Sequence, residues 1–405
     1  MTDIAVGSAA PGAFQAASTL AADSPSSESR PTVEELRPLT SLRFFAALMI
    51  VYQHLREQLP GSGLENVPGS MVQGVSFFFV LSGFILTHVY RGHDDLTVGR
   101  FLRLRLARLY PTHLAAMLLL VIVLPRHLMP FGDASPLLTG VSLVAKLLLL
   151  DSLVPLAGVQ WSWNGVSWSI STEMFFYLAF PWLLRGLEAD WWKKLALSGL
   201  AAFLVYRIGA SVGYGDIHMV GPTDAVFQFG YSHPLARIFE FVLGMSAYLG
   251  WKRWVANAQL SLVGWTVVEG GLLLVFALWF FVDCPRLEAL LPQAVQLWLI
   301  TSGSCWLFAL MIMTFASGRG LFGRFLALRP LVWLGEISFA VYMFHQIILR
   351  AASNSFGPDF SIPAALCAIL LVAALSHHLV EIPARRLILS ATRRRAQAKP
   401  GAALA

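Results

Sequence analysis

Apolar stretches of about 20 residues, the length a helix needs to cross the hydrocarbon core of a bilayer, recur along nearly the whole chain. They fall at approximately 40–59, 71–90, 108–125, 166–187, 194–213, 234–251, 262–282, 294–316, 331–352 and 361–381. Short polar stretches separate them, and none of these is long enough to form a second, soluble domain. A further stretch, 137–155, is apolar but contains Lys146, Asp151 and Pro155. The pattern predicts an all-α, polytopic membrane protein of about ten transmembrane helices.

The basic residues decide how the doubtful stretch is treated, because cytoplasmic flanks of membrane helices are enriched in Lys and Arg. With the N-terminus inside and 137–155 not counted as a span, the cytoplasmic segments hold Arg91, Arg100, Arg103, Arg105 and Arg108. They also hold Arg185/Lys193/Lys194, Lys252/Arg253, Arg319/Arg324/Arg329, and Arg385, Arg386 and Arg393 to Arg395. The outer loops 60–70, 214–233 and 353–360 then contain no Lys or Arg. Counting 137–155 as a span inverts every later loop. The better expectation is therefore both termini in the cytoplasm, with 137–155 re-entrant or lying at the outer interface.

Composition agrees with this picture. Of 405 residues, 57% are hydrophobic and 13% charged, against about a quarter charged in soluble domains. The net charge of +6 sits in the short stretches between apolar runs, not on one soluble face as in a nucleic-acid binder. Cys284, Cys305 and Cys367 are scattered and suggest neither a disulfide framework nor a metal site. Residues 1–38 are rich in Ala, Ser, Pro and Thr and read as a flexible cytoplasmic tail, not a signal peptide. Residues 39–388 read as the membrane domain and 389–405 as a basic cytoplasmic tail.

Charged residues inside apolar spans are the candidates for chemistry, since they normally face a bundle interior or an aqueous cavity. Arg43 and His54 lie eleven residues apart in the first span. On a helix this returns to within about 20° of the same face, roughly 16 Å further along. Arg43 is placed near the cytoplasmic end and His54 in the outer half; a snorkelling Arg and a structural His would look the same. Arg105 and Arg108 share a helical face at the cytoplasmic border, before Tyr110 and Pro111. Two guanidinium forks there suit a phosphorylated ligand, although such flanks are basic in any case.

Glu173, in WSISTEMFFYLAFP, has Ser169 and Tyr177 one turn away on either side. A carboxylate so placed needs partners, and serves either as an orienting group or general base or as half of a structural ion pair. Ser82–Gly83 offer small residues for close helix approach. Arg237 and Glu240 read as a structural pair, and Ser338, Tyr342 and His345 as a hydrogen-bonding stripe facing the bundle. Glu381 ends the last span, where it could pair with basic residues at the cytoplasmic mouth. Trp161, Trp163 and Trp168 could stack a sugar or form an interfacial aromatic belt. No glycine-rich phosphate loop, zinc-type spacing or nucleophile elbow occurs, which leaves His54 as the best candidate for proton chemistry.

Arg43-x10-His54, SFFFVLSGF, Arg105-x-x-Arg108 with Tyr110–Pro111, WSISTE, the run from Arg237, LGEISFAVYMFH and Glu381–Ile382–Pro383 follow one another in a distinctive order. Over approximately residues 38–388 the chain resembles the acyltransferase-3 family of integral membrane O-acyltransferases. The resemblance implies a bacterial inner-membrane enzyme that transfers an acyl group, commonly acetyl from acetyl-CoA, to a hydroxyl. The acceptor implied is a carbohydrate of a surface glycan or, in some members, a secondary metabolite such as a macrolide. It further implies that His54 is catalytic, that Arg43, Arg105 and Arg108 serve the CoA side, and that Glu173 and Glu381 are functionally important. Acyl-CoA enters as a co-substrate, so no permanently bound cofactor is expected.

These expectations combine into a route. CoA phosphates dock at Arg105, Arg108 and Arg43, the pantetheine arm runs along the Arg43–His54 stripe, and His54 acts as general base or acyl carrier. Glu173 is a candidate to hold the imidazole tautomer, and Ser82 and Trp168 are secondary candidates. A transporter or flippase with a buried His–Arg–Glu relay would use the same charges, but the two halves of the chain show no obvious repeat. A non-catalytic membrane sensor is the third alternative.

Overall fold

The structure is a computed structural model that describes residues 36–59, 61–92, 97–125, 135–154, 156, 158–211, 230–357 and 360–397. Almost all of the expected N-terminal tail, most of the 214–233 loop and the end of the C-terminal tail lie outside the described residues. All regular structure among the described residues is helical. The first helices are α1 (Arg37–Gln58), α2 (Gly74–Tyr90), α3 (Val98–Val123) and α4 (Pro136–Leu147). They are followed by α5 (Trp168–Leu184), α6 (Leu187–Ser211), α7 (Pro234–Gly250) and α8 (Leu262–Leu278). The chain continues through α9 (Gln293–Ser302), α10 (Cys305–Phe315), α11 (Leu321–Leu326), α12 (Arg329–Phe356), α13 (Ile362–Ser376) and α14 (Ile382–Gln397).

Among the described residues, six helical stretches are long and apolar enough to cross a membrane: Met71–Tyr90, Val98–Val123, Leu262–Leu287, Val295–Phe315, Arg329–Phe356 and Ile362–Ser390. The remaining expected spans are also helical. α5 and α7 have 17 residues each, while α1 and α6 are longer but carry charges within them. Leu118, Ile122, Val263, Val267 and Leu379 point outward and exposed. Such a belt of apolar side chains is stable against lipid and costly in water.

The stretch around 137–155 folds as a short helix and a return. α4 has 12 residues, about 18 Å of rise, too little for a hydrocarbon core about 30 Å thick. At its end the fully buried Lys146 donates from Nζ to Asp151 Oδ2 and to the Gln160 carbonyl, each at 2.6 Å. The Tyr110 hydroxyl of α3 donates to the Leu147 carbonyl at 2.9 Å. The charges that make the stretch a poor span therefore tie its return to the bundle.

Small residues set the helix crossings. α2 and α7 cross so closely that a Cβ on Gly83 would strike the Phe241 carbonyl, and one on Gly244 would strike the Val80 carbonyl. Gly335 of α12 likewise lies against the Thr40 carbonyl of α1. Helices in lipid associate through such packing, not through hydrophobic burial. Arg237 and Glu240 form the expected pair, with Nε–Oε2 and Nη2–Oε1 at 2.8 and 2.9 Å. The Arg237 guanidinium lies 5.3 Å from the ring centre of Phe79, 5.8 Å from Trp168 and 5.7 Å from Tyr231, which braces one wall of the site.

Two expected spans differ in detail. The 294–316 stretch breaks at Gly303–Ser304 into α9 and α10, where the buried Gln73 side chain accepts the Ser304 N–H at 2.7 Å. The last span continues through a π-helical turn, His377–Glu381, into α14.

Candidate active site

Two cavities lie along α1, one toward each end. The inner cavity, about 130 Å³, is lined by Arg43 of α1, Ser82 of α2, Arg105 and Arg108 of α3, Glu173 and Tyr177 of α5, and Glu336 of α12. The outer cavity, about 650 Å³, is lined by Gln53, His54 and Glu57 of α1, by Trp161, Trp168 and Tyr231, and by Gln346 and Arg350 of α12. Val75 and Tyr342 line both. Arg43 and His54 thus share a helix but open into different cavities.

The inner cavity is cationic. Arg43 and Arg108 make no hydrogen bond to protein among the described residues, so their donors are available to a ligand. Arg105 is more constrained: Nη2 donates to the Tyr90 hydroxyl at 3.1 Å, and the guanidinium lies over the rings of Tyr90 and Phe101. Its buried Nε has no protein partner. Arg385 of α14, which packs against α3, adds to the positive field at Arg105 and Arg108. The buried Glu381 accepts from His377 Nδ1 at 3.0 Å and acts electrostatically on Arg43 and Arg385.

Glu173 Oε1 accepts the hydroxyls of Ser82 at 2.9 Å and Tyr177 at 2.5 Å. Tyr177 is therefore one of its partners. Ser169 instead lies 2.9 Å from the Tyr342 hydroxyl and donates to the Val166 carbonyl at 3.0 Å. Ser82 links α2 to α5, while its neighbour Gly83 makes the crossing with α7.

His54 is held by a different residue. Its Nδ1 lies 3.0 Å from Nε2 of His345 and 3.1 Å from the Ile50 carbonyl, while Nδ1 of His345 lies 2.7 Å from the Tyr342 carbonyl. A carbonyl oxygen only accepts, so Nδ1 of a neutral His345 carries its proton and its Nε2 is an acceptor. Nδ1 of His54 must then donate, and the lone pair of His54 is on Nε2. The place considered for Glu173, orienting the His54 ring, is occupied by the fully buried His345.

Trp161 and Trp168 line the outer cavity with Tyr231, whose ring centre is 5.3 Å from that of Trp161 and 5.0 Å from that of Trp168. Trp163 faces elsewhere, donating from Nε1 to Ser142 Oγ at 3.1 Å. Tyr231, Arg350, Glu336 and Arg385 had no local signal that assigned them to a site. His345 did stand on a polar stripe with Tyr342 and Ser338. Among the described residues no group of three or more His, Cys, Asp or Glu could hold a metal ion.

The helical bundle thus holds an arginine-lined cavity toward one end of α1 and an imidazole held by a second histidine toward the other. The chain belongs to the acyltransferase-3 family, whose acyltransferase-domain model matches residues 39–378, and it is accordingly an acyltransferase. It is 30% identical over 389 residues to the acyltransferase MdmB of Streptomyces mycarofaciens, covering 88% of this chain and 94% of that protein. It is 26% identical to the putative peptidoglycan O-acetyltransferase YrhL of Bacillus subtilis, covering 86% of this chain and 54% of that protein. To the O-acetyltransferase OatA of Staphylococcus aureus it is 23% identical, covering 86% of this chain and 57% of that protein. The chain thus spans little more than half the length of these last two relatives. No solved structure matches it.

Proposed function

We propose that this enzyme transfers an acetyl group from acetyl-CoA, bound in the inner cavity, to a hydroxyl of a carbohydrate acceptor in the outer cavity. The observation that carries this reading is the division of labour between two cavities that share Val75 and Tyr342 as lining residues. Arg43, Arg105 and Arg108 receive the CoA phosphates, to which guanidinium forks bind in bidentate fashion. The arginine-bearing end faces the cytoplasm, in keeping with its basic flanks, and the membrane is the bacterial inner membrane. In this orientation about ten helices span the bilayer, α1, α5, α6 and α7 included.

The larger outer cavity suits a bulky acceptor, and the Trp161–Trp168–Tyr231 wall offers aromatic faces to a sugar ring. The acetyl acceptor implied by the name of the peptidoglycan-type relative is also a glycan. His54 Nε2 takes the proton of the acceptor hydroxyl as its oxygen attacks the thioester carbonyl. The carbon–sulfur bond then breaks, and the departing CoA thiolate takes that proton from the imidazolium. The same lone pair would attack directly if the acyl group passed through His54, and label retained on quenched enzyme separates the two routes.

The test is transfer of labelled acetyl from acetyl-CoA to soluble peptidoglycan fragments by the purified enzyme in nanodiscs. Labelled, alkali-labile ester on the glycan supports the proposal. CoA release without glycan labelling rejects the carbohydrate acceptor and leaves the donor assignment standing.

A further inference from the structure

If the donor occupies the inner cavity, as proposed above, its thioester carbonyl must lie at Val75 and Tyr342, the only side chains common to both cavities among the described residues. His54 lines the outer cavity, with Arg56 and Arg350, whereas Arg43, Arg105 and Arg108 line the inner one, so that three-arginine cluster and the base reach one ligand only if it extends through both cavities. We propose that the Val75–Tyr342 neck selects the acyl group by length and makes the enzyme specific for short acyl chains.

The neck is stiff on both sides. Val75 is buried near the start of α2, directly after Gly74, whose α-carbon is pressed against the Ala46 carbonyl and the Ile50 side chain of α1. The Tyr342 hydroxyl donates to the Val166 carbonyl at 2.8 Å and lies 2.9 Å from Ser169 Oγ. Its ring meets Phe78 from the inner side at 6.1 Å between centres, and His345 at 5.9 Å. Tyr342 cannot swing aside without losing its hydroxyl contacts to α5 and the turn before it, and its own carbonyl orients His345. An acyl chain held with its carbonyl near His54 must therefore lodge against the Val75 methyls and a fixed phenol ring. In a well-packed interior, one surplus methylene is felt strongly, and discrimination of about ten- to two-hundredfold per methylene is typical of such pockets.

Substituting Val75 tests this without touching the arginines or His54. Free CoA, acetyl-CoA, propionyl-CoA and butyryl-CoA are competed against labelled CoA on the full-length protein in nanodiscs. Wild type is expected to bind acetyl-CoA in preference to butyryl-CoA. Val75→Ala should shift the butyryl-to-acetyl affinity ratio toward butyryl by about tenfold or more, with the affinity for free CoA unchanged. Val75→Ile, which adds one methylene, should shift the propionyl-to-acetyl ratio the other way and serves if the alanine variant does not fold. Normal CoA binding with both ratios unmoved would overturn the neck assignment and leave the donor site intact. Wild type that binds no CoA would overturn the donor reading and the neck with it.

Discussion

Nε2 of His345 lies 3.0 Å from Nδ1 of His54, across 291 residues of sequence. The Tyr342 carbonyl fixes the His345 proton on Nδ1, and the Ile50 carbonyl and His345 Nε2 together hold the His54 proton on its Nδ1, which leaves Nε2 of His54 as the basic nitrogen. A carboxylate often holds a catalytic histidine in this way; here a second imidazole stands in that place.

His345→Ala should therefore lower kcat by about ten- to ten-thousandfold, the range spanned by second-shell partners and general-base catalysis. The acetyl-CoA KM should change little, because the arginines proposed to receive the CoA phosphates line the other cavity. His345→Gln can still accept from His54 Nδ1 through its amide oxygen and should recover part of the lost kcat. Steady-state kinetics on the three proteins check this. A rise in KM with kcat intact would mean that His345 shapes the cavity and does not orient the base.

Arg108 has no competing protein hydrogen bond among the described residues. Arg108→Ala should raise the donor KM by roughly ten- to hundredfold, equivalent to about 1.5–3 kcal/mol for hydrogen bonds to a charged group. Arg105 combines a hydrogen bond to Tyr90 with stacking on two rings. Arg105→Lys keeps the charge but loses the planar stacking and the fork, so it should behave nearly as badly as Arg105→Ala in acyl-CoA titrations.

Glu173 joins α2 to α5 by accepting from Ser82 and Tyr177. Glu173→Ala leaves both hydroxyls without their acceptor, at a cost of about 1–3 kcal/mol for the buried Tyr177 hydroxyl and less for the half-buried Ser82. Glu173→Gln keeps a carbonyl oxygen in place. Thermal unfolding in detergent should rank wild type and Gln well above Ala. Equal midpoints for Ala and Gln would show that neither hydroxyl depends on this side chain.

Lys146 and Asp151 are fully buried against each other. Removing one partner strands the other charge, typically about 3–5 kcal/mol, while replacing both with apolar residues is far less costly. Asp151→Leu should therefore express poorly, and the double variant Asp151→Leu/Lys146→Met should recover much of the folded yield by size-exclusion profile. A double variant no better than the single would mean that the charges themselves, and not their pairing, hold the α4 return.

Helix positions were readable because a bilayer imposes length and apolarity on each spanning segment. The short return after α4 was also legible, since Lys146 and Asp151 break an otherwise apolar run. Breaks caused by tertiary contacts were not. The interruption at Gly303–Ser304 depends on Gln73, far away in sequence, reaching the Ser304 amide. The site shows the same boundary. Arg43, His54, Arg105, Arg108 and Glu173 were conspicuous because charges in apolar segments are costly. His345 was visible only as one polar residue on a helical stripe, and its pairing with His54 is set by the α1–α12 crossing at Gly335. Periodicity within one helix carries no information on that crossing. Nor did helical spacing show that Arg43 and His54 open into separate cavities, since they share a face of α1.

The most direct test of the account compares wild type with His54→Ala, purified in nanodiscs and supplied with labelled acetyl-CoA and soluble peptidoglycan fragments. The account predicts CoA release by wild type and its loss in the variant, with labelled CoA still binding both proteins equally. Substantial CoA release by a well-folded His54→Ala protein would contradict it and remove His54 from the chemistry.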